Sequence, residues 1–294
     1  MANHMAPPAM SSARTPGRTG MSVDRAATRS VVTSDDGTRI AVTRRGAGPP
    51  VVLVDGALAS SRTDPDRPLA EHLAGAFTVY DYDRRGRGDS TDTPPYAPRR
   101  EVEDLAAVVS AAGVGCHLFG VSAGAALALE ATAAGVPVRR LAVYEPPYTG
   151  EVVGSADVRR TRNELEALLD DEARGHARYG EAVAQLFTVS GMPKEMVTLL
   201  RCTPIWREYE ALAPTIAYDL AVLDDGVVPR QRFESIDVPT LVLDGAASPE
   251  LLRRPARIVA CVASAAAYQS LPDQTHDVAP EVLAPVLADF FGSR

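Results

Sequence analysis

The stretch Leu118-Phe119-Gly120-Val121-Ser122-Ala123-Gly124-Ala125-Ala126-Leu127 constrains the fold more than any other part of the chain. An apolar, strand-like run enters a G-x-S-x-G pentapeptide, and an alanine-rich, helix-like run leaves it. A chain that turns from strand to helix this sharply needs small residues on both sides of the turn, and Gly120 and Gly124 supply them. The residue at the apex then stands clear of the sheet edge. The amides that open the following helix face the same space, where they favour negative charge. Ser122 is therefore the candidate nucleophile, and the amide of Ala123 a candidate oxyanion donor.

Such a turn belongs in a parallel sheet with helices packed on it. Val51-Val52-Leu53-Val54 is apolar without alternation, the mark of a strand buried on both faces. Phe77 to Tyr82, Cys116 to Phe119, Arg140 to Tyr144 and Pro239 to Leu243 read as further strands, with a weaker one from Tyr268 to Leu271. Helical spacing fills the intervals: Pro68 to Gly75, Glu101 to Ala112, Ala123 to Ala134, Leu251 to Val262 and Pro280 to Phe291. Ahead of them, Arg29 to Thr33 and Thr38 to Arg44 read as a hairpin closed by Asp35-Asp36-Gly37. Between Gly150 and Ser235 the alternation stops and the pattern is helical, broken at Pro193, Pro204 and Pro214. The expected class is α/β: a mostly parallel, doubly wound sheet over residues 25–149 and 236–294, with a helical cap insertion over 150–235.

Residues 1–24 are rich in Pro, Ser, Arg and Ala and read as a disordered tail. His4-Met5 looks like a cloning remnant, and Met21 is the expected native start. The tail has no apolar run fit for a signal peptide, and no stretch of the chain approaches the ~20 apolar residues of a membrane span. A net charge of −8 argues against a phosphate-binding surface, so neither nucleic acid nor membrane is an expected partner. Cys116, Cys202 and Cys261 fit no metal spacing and no disulfide framework. They are expected to be small core residues in a cytoplasmic protein, with no metal and no cofactor. A homodimer is compatible with the sequence.

From Val31 onward the chain resembles the α/β-hydrolase superfamily. The marks are the strand ending in Asp55-Gly56, the loop Asp83-Arg84-Arg85-Gly86-Arg87-Gly88-Asp89-Ser90, the elbow at Ser122, and the late Leu271-Pro272-Asp273-Gln274-Thr275-His276. The resemblance implies the α/β-hydrolase fold, with Ser122 as nucleophile, His276 as general base, and a second oxyanion amide at Gly56 or Ala57. It also exposes a departure. Most members carry the acid of the triad in a G-x-x-D-P-like segment, where this chain has Gly245-Ala246-Ala247-Ser248-Pro249. Serine cannot hold an imidazolium by charge, so another carboxylate is needed. Glu145 ends the strand that follows the nucleophile's strand and helix, and parallel strands share one carboxyl edge, so it is the first candidate. Asp244 ends the usual acid strand and is the second; Asp219, Asp224 and Asp225 in the insertion are further alternatives.

Zearalenone lactonases, a branch of the superfamily, share the Asp-Gly ending seen at Asp55-Gly56 and are similar in three further respects. They place a glutamate after the corresponding strand, have a G-A-A-T-P-like segment where this chain reads Gly245 to Pro249, and carry a Pro-x-Trp in the cap, here Pro204-Ile205-Trp206. That likeness implies a small hydrophobic ester or lactone as substrate, cleaved through an acyl-serine. It also makes Trp206 a candidate pocket wall, with a cap-core role as the alternative. Asp55 and Tyr148 are candidate substrate-binding residues, Asp55 with a loop-structuring alternative, and Phe187 and Met192 are further pocket candidates. Arg84, Arg85 and Arg87 are expected to be held by Asp81, Asp83 and Asp89, with Asp89 buried against that turn. His72, His117 and His176 are expected to be structural or solvated. The same fold also admits cyclisation, acyl transfer, carbon–carbon cleavage, or ligand binding without catalysis.

Overall fold

The computed structural model describes residues 27–64, 67–170 and 178–293. The expected tail over residues 1–24 and His176 lie outside them. Eight strands form one sheet: β1 (Thr28–Thr33), β2 (Arg39–Arg45), β3 (Pro50–Val54), β4 (Thr78–Tyr82), β5 (His117–Val121), β6 (Arg140–Tyr144), β7 (Thr240–Gly245) and β8 (Ala266–Leu271). Their order is β1-β2-β4-β3-β5-β6-β7-β8. The β1–β2 and β2–β4 pairs are antiparallel, and every pair from β4 to β8 is parallel.

The helices alternate with these strands: α1 (Pro68–Leu73), α2 (Pro98–Ala112) and α3 (Ala123–Ala133) before β6, then α11 (Glu250–Val262) and α12 (Pro280–Gly292) after β7. Between β6 and β7 lie α4 (Gly150–Val153), α5 (Ser155–Leu169), α6 (Tyr179–Val189), α7 (Lys194–Leu200), α8 (Trp206–Leu212), α9 (Ile216–Leu223) and α10 (Arg230–Phe233). The three prolines fall where the helical pattern breaks. Pro193 precedes α7, Pro204 lies in the turn before α8, and Pro214 sits in a single 3-10 turn before α9. Among the described residues no helix is long and apolar enough to cross a membrane.

The unbroken apolar runs of the strands serve two layers at once, because successive side chains point to opposite faces. Val52, Val54, Leu118, Leu141, Val143 and Val242 pack with α2, α3 and α11. Val51, Leu53, Phe119, Ala142, Leu241 and Leu243 pack with α1 and α12. A third cluster joins Leu58 to Leu165, Val183, Trp206 and Ile216 of the helical segment. Three strands run two residues past their sequence signal at one end, β5 among them, reaching Val121. β7 runs on through Gly245, and β8 starts at Ala266 because Thr240 pairs with Ala266 and Gly245 with Leu271. β8 is an edge strand with mostly exposed, weakly apolar residues, so periodicity marks only its end.

The cysteines need a correction. Only Cys116 is buried; Cys202 and Cys261 are exposed, Cys202 in the turn after α7 and Cys261 on the outer face of α11. His117, at the start of β5, is buried between Phe77 and Phe291, with ring centroids 6.4 and 4.7 Å away. Burial pushes its pKa down to about 4, with Arg139 and Arg140 adding repulsion. The unfolded chain takes up this proton near pH ~6.5, well before the folded one. Stability that is full above that pH is therefore lost as pH falls toward 4, by up to about 3 kcal/mol from this residue. His117→Phe keeps an aromatic ring in the slot and is expected to flatten this part of the curve, measured by chemical denaturation across the acid range. Parallel curves for the two proteins would rule the effect out.

Candidate active site

Ser122 sits between β5 and α3 with φ 54° and ψ −126°, a strained conformation for a residue with a side chain. Its flanking glycines are required by contact. A Cβ at Gly120 would lie 2.5 Å from the Gly124 carbonyl oxygen, and one at Gly124 would lie 2.2 Å from that of Val54. The Ser122 amide donates to the Tyr144 carbonyl at 2.9 Å, which ties the turn to the end of β6. Gly56, after β3, packs against the serine directly: a Cβ there would lie 3.1 Å from Ser122 Cβ.

Three side chains from separate elements meet at this edge of the sheet. His276 Nε2 lies 3.1 Å from Ser122 Oγ, and His276 Nδ1 lies 2.7 Å from Glu145 Oε2. The other carboxylate oxygen of Glu145 accepts the Gly245 amide at 2.8 Å. Glu145 is wholly buried and held at φ 46°, so the residues at the ends of both β5 and β6 are strained. The Glu145 amide donates to the Leu243 carbonyl at 3.0 Å, which fixes it to β7. The loop carrying His276 is pinned twice. Tyr144 Oη donates to the Thr275 carbonyl at 2.5 Å, and the Ala247 amide donates to the Gln274 carbonyl at 2.9 Å. Asp244 is buried elsewhere, accepting Tyr268 Oη at 2.6 Å and Ser270 Oγ at 2.5 Å. The Ser248 hydroxyl is buried without a hydrogen-bond partner. Of the carboxylates weighed from sequence, Glu145 is the one that reaches His276.

Ser122 and His276 open onto a cavity of about 370 Å³. Ala57 and Ala123 line it beside the serine, and Leu165, Leu186, Leu220 and Leu223 form much of its apolar wall. The His276 side chain is 29% exposed, whereas that of Glu145 is wholly buried.

A sequence model of the alpha/beta hydrolase family matches residues 51–286. The chain belongs to this family. A crystal structure of an alpha/beta hydrolase from Sphaerobacter thermophilus is 48% identical, with a TM-score of 0.79, over 89% of this chain and 100% of that one. An esterase from Rhodococcus shares the fold at 21% identity and a TM-score of 0.67, over 90% of this chain and 98% of that one. An N-formylmaleamate deformylase from Pseudomonas putida is 38% identical over 86 residues, 28% of this chain and 32% of the relative, so this chain spans about a third of that protein.

Several side chains of this family member lie away from where sequence puts them. Trp206 does not line the cavity; it packs in the cluster of the helical segment, and its Nε1 donates to Glu210 at 2.9 Å. Phe187 and Met192 pack around the same cluster, because α6 turns Leu186, Val189 and Ser190 toward the cavity and Phe187 away from it. Tyr148 is buried in the core beneath, 5.9 Å from the Phe233 ring. Asp55 is ion-paired with Arg67, which leaves it a loop-structuring residue. The arginines of the loop after β4 take partners beyond their own loop. Arg84 binds Glu101 and Asp219, Arg85 binds Asp104 and Asp36, and Arg87 binds Asp219. Asp81 and Asp83 face Arg67, and Asp89 is half exposed with Arg62 and Arg29. Sequence reasoning missed Asp219 as a partner of these arginines. Its signal was present: Ile216, Asp219, Leu220 and Leu223 form one helical stripe, and all four line the cavity.

Proposed function

We propose that this chain is a cofactor-independent serine hydrolase that cleaves a carboxylic ester or lactone through an acyl-serine. The reading is carried by one observation, the unbroken hydrogen-bonded relay from Glu145 through His276 to Ser122, ending at a largely apolar cavity. In this reading the Glu145 carboxylate accepts a hydrogen bond from the Nδ1–H of His276, which leaves Nε2 as the acceptor facing Ser122 Oγ. As Oγ attacks the carbonyl carbon, its proton passes to Nε2, and the Glu145 carboxylate balances the imidazolium that forms. The amides of Ala123 and Ala57 stabilise the tetrahedral oxyanion, each contribution being worth ~3 kcal/mol where it has been measured by substitution in enzymes of this type. His276 then protonates the leaving alcohol, and water repeats the sequence against the acyl-serine.

The helices between β6 and β7 serve as a cap in this account. The leucines they place in the wall favour a medium-sized hydrophobic acyl or alkoxy group, such as an aryl ester or a macrolactone. A fluorophosphonate probe is expected to label the protein at one serine. 4-Nitrophenyl esters and aromatic lactones are expected to be turned over, with longer acyl groups preferred to acetyl. An N-formyl amide belongs in the same panel because of the deformylase likeness. Failure to label, together with no turnover of ester or lactone, would rule the reading out.

A further inference from the structure

We propose that Asp219 is a positioning residue for the oxyanion-binding turn, acting through Arg87 from the helical segment above. This rests on the serine hydrolase reading and extends it to a residue on α9, 132 positions from its arginine.

Arg87 is buried and its guanidinium is divided between two acceptors. Nη2 donates to both oxygens of Asp219, at 2.8 and 2.9 Å, and Nη1 donates to the Gly56 carbonyl at 2.8 Å. That carbonyl belongs to the same planar trans peptide as the Ala57 amide, so the two point in opposite directions. Holding the Gly56 oxygen inward on Arg87 therefore turns the Ala57 N–H outward, on the side where Ala57 borders the cavity with Ser122. The same constraint selects Ala57 over Gly56 as the second oxyanion donor. Gly56 is packed against Ser122, so a rotation of this peptide is felt at the nucleophile.

The neighbouring arginines have acids from α2: Arg84 has Glu101, at 2.6 and 2.8 Å, and Arg85 has Asp104, at 2.7 and 2.8 Å. Among the described residues Arg87 has Asp219 alone as counter-ion. Asp219 also accepts Arg84 Nη1 at 2.7 Å, and is itself almost wholly buried. A buried guanidinium without its counter-ion turns toward any acceptor it can find, and the fixed direction of the Gly56 carbonyl is lost with it. The helical segment thus supplies the charge that aims an amide belonging to the sheet domain.

The test uses the full chain, 4-nitrophenyl butyrate as substrate and phenylboronic acid as a tetrahedral mimic, with fluorophosphonate titration to count competent sites. Asp219→Asn is expected to lower kcat per competent site by about a hundred-fold, the scale of one lost oxyanion donor, with KM within about three-fold. Boronate affinity is expected to fall in step with kcat/KM. Arg87→Lys keeps the charge but cannot fork to Asp219 and Gly56 together, so it is expected to behave alike and decides the matter if Asp219→Asn does not fold. A loss confined to KM, an unchanged kcat, or unchanged boronate affinity in an active wild-type background overturns this inference alone. A wild type that neither takes the label nor hydrolyses the ester overturns the serine hydrolase reading and this inference with it.

Discussion

Ser122→Ala is expected to lower kcat by about a million-fold, leave KM within a few-fold, and abolish fluorophosphonate labelling. The size follows from what the substitution removes and what it keeps. Without Oγ no acyl-serine can form, while the Ala57 and Ala123 amides and the cavity remain and retain a small acceleration over water. The fold is expected to survive, because alanine has the same Cβ and bears the same strain at φ 54° as the serine it replaces. Equal thermal midpoints would establish this, and steady-state or single-turnover kinetics would give the rate. A variant that keeps more than about one hundredth of the activity would remove Ser122 from the chemistry.

Glu145→Gln is expected to lower kcat by about ten-thousand-fold, the order seen when the acid of such a triad becomes an amide. The cause is a reversed hydrogen bond. Glu145 Oε2 accepts from His276 Nδ1 at 2.7 Å, and an amide nitrogen in that place would donate instead. The imidazole then carries its proton on Nε2 and has no lone pair for Ser122. Asp244→Asn is the contrasting case. Its carboxylate serves Tyr268 and Ser270, so the substitution is expected to cost about 1 to 2 kcal/mol of stability and to leave kcat within a few-fold. Kinetics and denaturation of both variants separate the two roles. The opposite ranking would assign the acid to Asp244.

The parts legible in the sequence share a physical origin: each is enforced by the backbone or by short-range pattern. The elbow is legible because crowding at Gly120 and Gly124 admits nothing larger. Glu145 is legible because adjacent parallel strands end on one edge, so a strand-end carboxylate at position 145 lies beside whatever follows β5. β8 is nearly silent because an exposed edge strand needs no apolar run. The side-chain pairings fail for a different reason. Arg84 could have been matched to the acids of its own loop, but its partners come from α2 and from α9, 135 residues away. No local period encodes such a choice. Trp206 illustrates the same limit: a large aromatic beside a pocket and one behind its wall look alike until the helix phase is known.

Ser122 and Glu145 follow directly on two strands bonded to each other, while His276 arrives on a loop from beyond β7. In mechanical terms Ser122 and Glu145 are mounted on one frame of paired strands, and the imidazole is mounted on a separate loop. Displacement of the loop breaks both bonds of the imidazole at once, so the relay disengages as a unit, and the two anchors at Thr275 and Gln274 are what keep it closed.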